Sequence, residues 1–180
     1  MNRLFPVTIV LNALISAVAL AQTQHEFDKT TYDQVAKKTI GQVLGGSANA
    51  DQLLGNMRQL ITLGVAGCRE HLEEPETPET EKKVMQAVID NAQGMQTLTL
   101  EEIEAQWHEG GFLKGQGVDI EQFDHFSEVL CHYEAVVHPA TCVICLRQYG
   151  NASSEDEREE LLEQVKGELQ EVREHLKHLE

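Results

Sequence analysis

The residues best equipped for chemistry lie in one stretch, Asp119 to Tyr149. Read as a helix, this stretch sets Asp124, Cys131, His138 and Cys145 on one stripe, because seven residues return a helix to within about 20° of its start. Cys142, four residues after His138, joins them. His125 and His132 form a further heptad pair about 100° round the helix. Beside the stripe run Phe123, Leu130, Val137 and Ile144, flanked by Phe126, Tyr133 and Ala140, and this apolar series predicts the core-facing side.

Three chemistries compete for these side chains. His138-x3-Cys142-x2-Cys145 puts an imidazole and two thiols within two turns, ligands suited to Zn²⁺ or a copper ion. Cys131 is the natural fourth ligand, with Glu134, His132 or Cys68 as alternatives, and the same stripe could hold a haem non-covalently. Covalent c-type haem is excluded, since Leu146 and not a histidine follows Cys145. Cys142-Val143-Ile144-Cys145 is also a CxxC, the arrangement used for thiol–disulfide exchange. No strand-helix-strand pattern surrounds it, which sets it apart from redox motifs of the thioredoxin kind.

The plainer reading, and the leading one, is two structural disulfides. On a straight helix Cys131 lies about 16 Å from Cys142 and about 21 Å from Cys145. A disulfide needs Cα atoms within about 7 Å, which leaves Cys68 with Cys131 and Cys142 with Cys145. Pro139 is the weak point of that geometry. It lacks the N–H that would bond to Ala135 and disfavours helical geometry at His138, so a break there would reopen the other pairings.

Other chemistry-bearing residues receive quieter expectations. Trp107, next to His108, is expected to plug the core. His71, three residues after Cys68, could add a metal ligand, but its place near a helix end predicts solvation. His175 and His178 lie among charges and are expected to be exposed. The glycine-rich run from Gly110 to Gly117 lacks the Gly-Lys-Ser/Thr ending of a phosphate loop and reads as a turn. There is no Ser/His/Asp constellation and no carboxylate pair in an identifiable cleft, so catalysis has no positive support.

The elements that must position these residues are helices. Asn49 with Gln52, Thr99 with Glu102, Asp119 with Gln122 and Ser154 with Glu157 are capping pairs, and Thr77-Pro78 places proline at a helix start. Apolar residues recur behind them at helical spacing, and strand-like alternation is missing. Six helices are predicted, at about 28–44, 50–73, 78–96, 100–108, 120–148 and 154–179, forming an all-α, single-domain bundle. The last helix carries Leu162, Val165, Leu169, Val172, Leu176 and Leu179 as a narrow heptad seam. That seam would serve packing onto the bundle or a coiled coil between copies.

Composition sets the outer bounds. The 180 residues carry 14 Lys+Arg against 30 Asp+Glu, a formal net charge of −16. Such a surface works against nucleic acid and anionic lipid, whose phosphates are bound by clustered basic residues. Residues 1–21 combine Arg3, an apolar run and Ala19-Leu20-Ala21, the pattern of a cleaved signal peptide. The expectation is a periplasmic or secreted domain over residues 22–180, without stable membrane insertion after cleavage, whose cysteines meet an oxidising compartment. Asn151-Ala152-Ser153 is a glycosylation sequon only in a eukaryotic source. Together these features predict a structural or protein-interaction role, with a protein partner or a second copy, in a bundle held by disulfides. Metal or haem binding is the second reading and thiol exchange the third.

Overall fold

Short polar side chains open most of the helices in a computed structural model that describes residues 27–46 and 49–179. Asp28, Asn49 and Ser154 each accept a hydrogen bond from the backbone N–H three residues on. They start α1 (Lys29–Leu44), α2 (Ala50–Glu73) and α7 (Glu155–His175). Thr99 and Glu102 complete a reciprocal capping box at α4 (Leu100–Ile103). Two more helices precede the site: α3 (Glu79–Met95) and the single turn α5 (Gly111–Lys114) within the glycine-rich run. With α6 (Glu128–Tyr149) these make seven α-helices among the described residues, which are all-helical and contain no strand. The leader expected over residues 1–21 lies outside the described residues.

The architecture is built around α6. From Val129 to Leu146 every residue is buried except Glu134, which is half-buried. By length and composition this helix could cross a membrane, but here α2, α3 and α7 surround it. A helix without a polar face must be covered on all sides, so the amphipathic stripe expected from heptad spacing does not exist. The seam on α7 is used within the chain: Val165, Leu169, Val172, Leu176 and Leu179 are all buried. α1 packs on both α2 and α7 and closes the bundle.

One predicted helix start is displaced. Asp119 does cap, but only a 3₁₀ turn at Ile120–Gln122, after which Phe123 is extended. The long helix starts eight residues later than predicted, and Phe123, Asp124, His125 and Phe126 precede it. Pro139, by contrast, does not break α6. The carbonyl it leaves without a partner, that of Ala135, accepts a 2.8 Å hydrogen bond from the buried Tyr32 hydroxyl of α1. The same carbonyl faces Gly64 of α2, where a Cβ would stand 2.4 Å from its oxygen. Gly64 is thus what lets the two helices approach.

The predicted disulfides are corrected by this packing: Cys68, Cys131, Cys142 and Cys145 are all buried and all free. Cys68 donates to the carbonyl of His132 at 3.4 Å on the α2 side of α6. Cys131 turns the other way, with its sulfur 3.9 Å from Nδ1 of His175 at the end of α7. The bonds proposed between Cys68 and Cys131 and between Cys142 and Cys145 are therefore not formed. Cys142 faces the backbone of α7, its sulfur 3.7 Å from the Val165 carbonyl.

The Tyr32–Ala135 bond makes a testable pair. Tyr32→Phe should orphan a buried carbonyl and cost about 1–3 kcal/mol. In a Pro139→Ala background, where residue 139 regains its N–H, the same change should cost much less. Urea melts of the four members of this cycle give the coupling, and additive costs would refute the compensation.

Candidate functional site

The site is assembled on the face of α6 turned to α7. Glu134 and His138, one helical turn apart, project from α6 with Glu134 Oε2 3.2 Å from His138 Nε2. From α7, Glu168 accepts a 2.6 Å hydrogen bond from His138 Nδ1–H. The imidazole thus stands between two carboxylates, one at each ring nitrogen.

His108 completes the group from a less regular element. Behind α4 the chain widens into a π-helical turn, Glu104–His108, closed by the bond from Glu109 N–H to the Glu104 carbonyl at 2.9 Å. Gly110 then reverses the chain at φ +70°, where a Cβ would meet Ile120 at 2.6 Å. Trp107 is buried as expected, stacked on Phe112, and its carbonyl accepts from the Tyr133 hydroxyl of α6. With Trp107 anchored, the next residue, His108, faces α6: its Nε2 lies 2.9 Å from Thr141 Oγ1 and 3.9 Å from Glu168 Oε2. The Thr141 hydroxyl hydrogen goes to the Val137 carbonyl, which leaves the Thr141 oxygen to accept from His108 when Nε2 carries the proton. Wide π turns often occur where a fold must redirect a functional side chain.

His108, Glu134 and His138 each offer a ligand atom within 4.8 Å of the others'. Oε2 of Glu134 is buried and, despite its ion-pair distance to His138, lacks an aligned hydrogen-bond donor. Burial opposes charge on His138, but the hydrogen bond to Glu168 and the nearby Glu134, Glu168 and Glu171 outweigh it and raise its pKa. The interior here is arranged around positive charge.

Of the residues singled out in the sequence, the structure gathers His138 and Glu134 and leaves the thiols apart. Among the described residues, no cysteine belongs to a group of three or more clustered ligand side chains. Burial pushes the thiols of Cys68 and Cys145 up to about 12 and that of Cys131 up to about 11, and raises Cys142 as well. They are therefore protonated at neutral pH and poor ligands or nucleophiles. His175, expected at the surface, is buried beside His138, with ring centroids 6.3 Å apart, whereas His178 is exposed. His71, expected in solvent, is buried. Sequence reasoning missed His108 and Glu168 as partners of His138. Glu168 had a signal: Leu161, Glu168 and His175 form a heptad row beside the seam of α7.

Comparison with protein-family models, with curated proteins and with solved structures finds no match to this chain.

The buried thiols should be silent in the native state. With Ellman's reagent the folded protein should show almost no reaction over minutes, and four free thiols per chain should appear in denaturant without reductant. Fewer than four would restore a disulfide.

A second expectation concerns acid. Burial, then the neighbouring His71, lowers the pKa of His132 from 6.5 to about 4. Between those values the unfolded chain binds a proton that the folded chain does not, so stability rises with pH. As pH falls from about 6.5 to about 4, His132 should remove up to about 3 kcal/mol. His175, lowered to about 4 by burial and then by His138, His125 and His178, acts in the same direction. His138, whose pKa is raised, acts in the opposite one. Melts of metal-free protein at pH 7 and pH 4.5 should show a smaller loss in His132→Leu than in wild type, and equal losses would remove His132 from the account.

Proposed function

We propose that this protein binds a first-row divalent transition-metal ion between α6 and the π turn, with His108, Glu134 and His138 as ligands and Glu168 of α7 holding the His138 ring through Nδ1. The observation that carries the reading is the convergence of two imidazoles and two carboxylates from three elements, with a Glu134 oxygen left without a hydrogen-bond donor in the interior. An unpartnered buried carboxylate oxygen is costly, and a cation is one of the few things that satisfies it. Bundle interiors are a common place to build such centres from inward-facing Glu and His. Two nitrogens and carboxylate oxygens suit Zn²⁺ or Fe²⁺. The role supported is binding through nitrogen and oxygen, with the cysteines serving as small core residues. The leader-like pattern of residues 1–21 supports export of the chain, and nothing in the site requires a catalytic step.

Equilibrium dialysis against Zn²⁺ and, without oxygen, against Fe²⁺, followed by elemental analysis, tests the proposal. His108→Ala and Glu168→Gln should each weaken binding at this site by roughly a hundredfold. Cys142→Ser and Cys145→Ser should leave it unchanged. Unaltered binding in His108→Ala, or a wild-type chain that takes up neither ion, would reduce the cluster to an ion-pair network joining α6 to α7.

A further inference from the structure

The pairing of Glu134 with His138 on α6 has a counterpart six residues earlier. Glu128-Val-Leu-Cys-His132 and Glu134-Ala-Val-Val-His138 are both Glu-x3-His, and six residues turn a helix by about 240° net, so the two pairs face different neighbours. The second pair faces α7; the first faces α2 and α3.

There, too, a histidine and a carboxylate come from other elements. His71 lies near the end of α2, its ring centroid 5.6 Å from that of His132. Its Nε2 is 2.8 Å from Glu81 Oε2, in the first turn of α3. Its Nδ1 is 3.7 Å from Glu74 Oε2. On α6, Glu128 Oε1 lies 3.9 Å from His132 Nε2. His71, Glu128 and His132 each offer a ligand atom within 4.8 Å of the others'.

Two further observations distinguish this group from a chance cluster. Both histidine side chains are more than nine-tenths buried, and each keeps a ring nitrogen, Nδ1, with no hydrogen-bond partner. The backbone is also shaped to admit one of the rings: a Cβ at Gly67 would stand 2.6 Å from His132 Nδ1. Glu128, by contrast, is half exposed, which gives the group an opening to solvent.

We infer that His71, Glu128 and His132, with Glu81 behind His71, form a second binding site for a divalent transition-metal ion. It has the same donor types as the first site and shares no residue with it. The ion would be held by neutral imidazole nitrogen and carboxylate oxygen, the donors suited to Zn²⁺, with Glu81 orienting the His71 ring as second-shell carboxylates do. The two sites would lie on different sides of one buried helix, each reached from its own surface.

The test is the stoichiometry of Zn²⁺ on the full chain, by equilibrium dialysis and elemental analysis. Two equivalents are expected in wild type. His71→Gln should bind one, and Glu128→Gln, which changes a half-exposed side chain and spares the core, should weaken one equivalent at least tenfold. Circular dichroism should show both variants folded. His108→Ala should lose the other equivalent. Two equivalents in both His71→Gln and Glu128→Gln overturn the second site. So does a single wild-type equivalent that His108→Ala removes, an outcome that leaves the first site standing. A single wild-type equivalent that His71→Gln removes and His108→Ala retains supports this site and refutes the other. No uptake at all refutes both.

Discussion

Everything in this fold answers to the need to cover a helix that has no outside. α6 carries apolar or small residues round its circumference, so α2, α3 and α7 must close on it from different directions. Between Val129 and Leu146 the enclosure shuts its polar groups off from bulk water, and those that the helix does not satisfy itself need a partner supplied by a neighbour. Pro139 makes the demand sharpest. It removes one backbone donor in mid-helix, and the vacancy is met from α1 by the Tyr32 hydroxyl while Gly64 keeps α2 clear of the freed carbonyl. The thiols follow the same rule. Cys68 and Cys142 donate to carbonyls, and in such surroundings they stay protonated and apart.

The polar side chains that α6 carries inward follow from the same enclosure. Glu134 and His138 could not be tolerated singly, since an isolated buried charge costs several kcal/mol or shifts its pKa until it is neutral. They are tolerated as a group, each within reach of an opposite or hydrogen-bonding neighbour. Glu168 reaches in from α7 and His108 from a turn whose backbone is widened to aim it. Such density of ionisable groups in an interior marks function more often than stability, because well-packed apolar residues would stabilise a bundle at least as well.

Much of this architecture was legible in the sequence, and the failures have physical causes. Capping pairs located the starts of α2, α4 and α7, because a cap is decided by side chains three residues apart. The same locality misled at Asp119, where the cap is real but the chain turns extended after one 3₁₀ turn. A cap says where a helix can begin and nothing of how far it runs. Heptad arithmetic grouped His138 with the cysteines because it follows every seventh residue. The productive neighbour was one turn away, and the repeated Glu-x3-His stood in plain view at Glu128–His132 and Glu134–His138. On α7 the narrow seam was too strict a template: a bundle helix buries about three residues in seven, which brings Leu161, Glu168 and His175 to the core side. His108 had no such signal, since its direction depends on a π turn that residue types alone do not specify.

The order of the elements along the chain also matters for how the protein is made. The helix that supplies the centre comes late among the described residues, so α1, α2 and α3 leave the ribosome well before the surface they pack against exists. Tyr32, Gly64 and Gly67 are shaped to a neighbour that emerges only after residue 128. Synthesis from the N-terminus therefore passes through a long stage with an uncovered apolar interior, a species prone to aggregate and suited to capture by a holding chaperone. Folding must wait for the chain to be nearly complete.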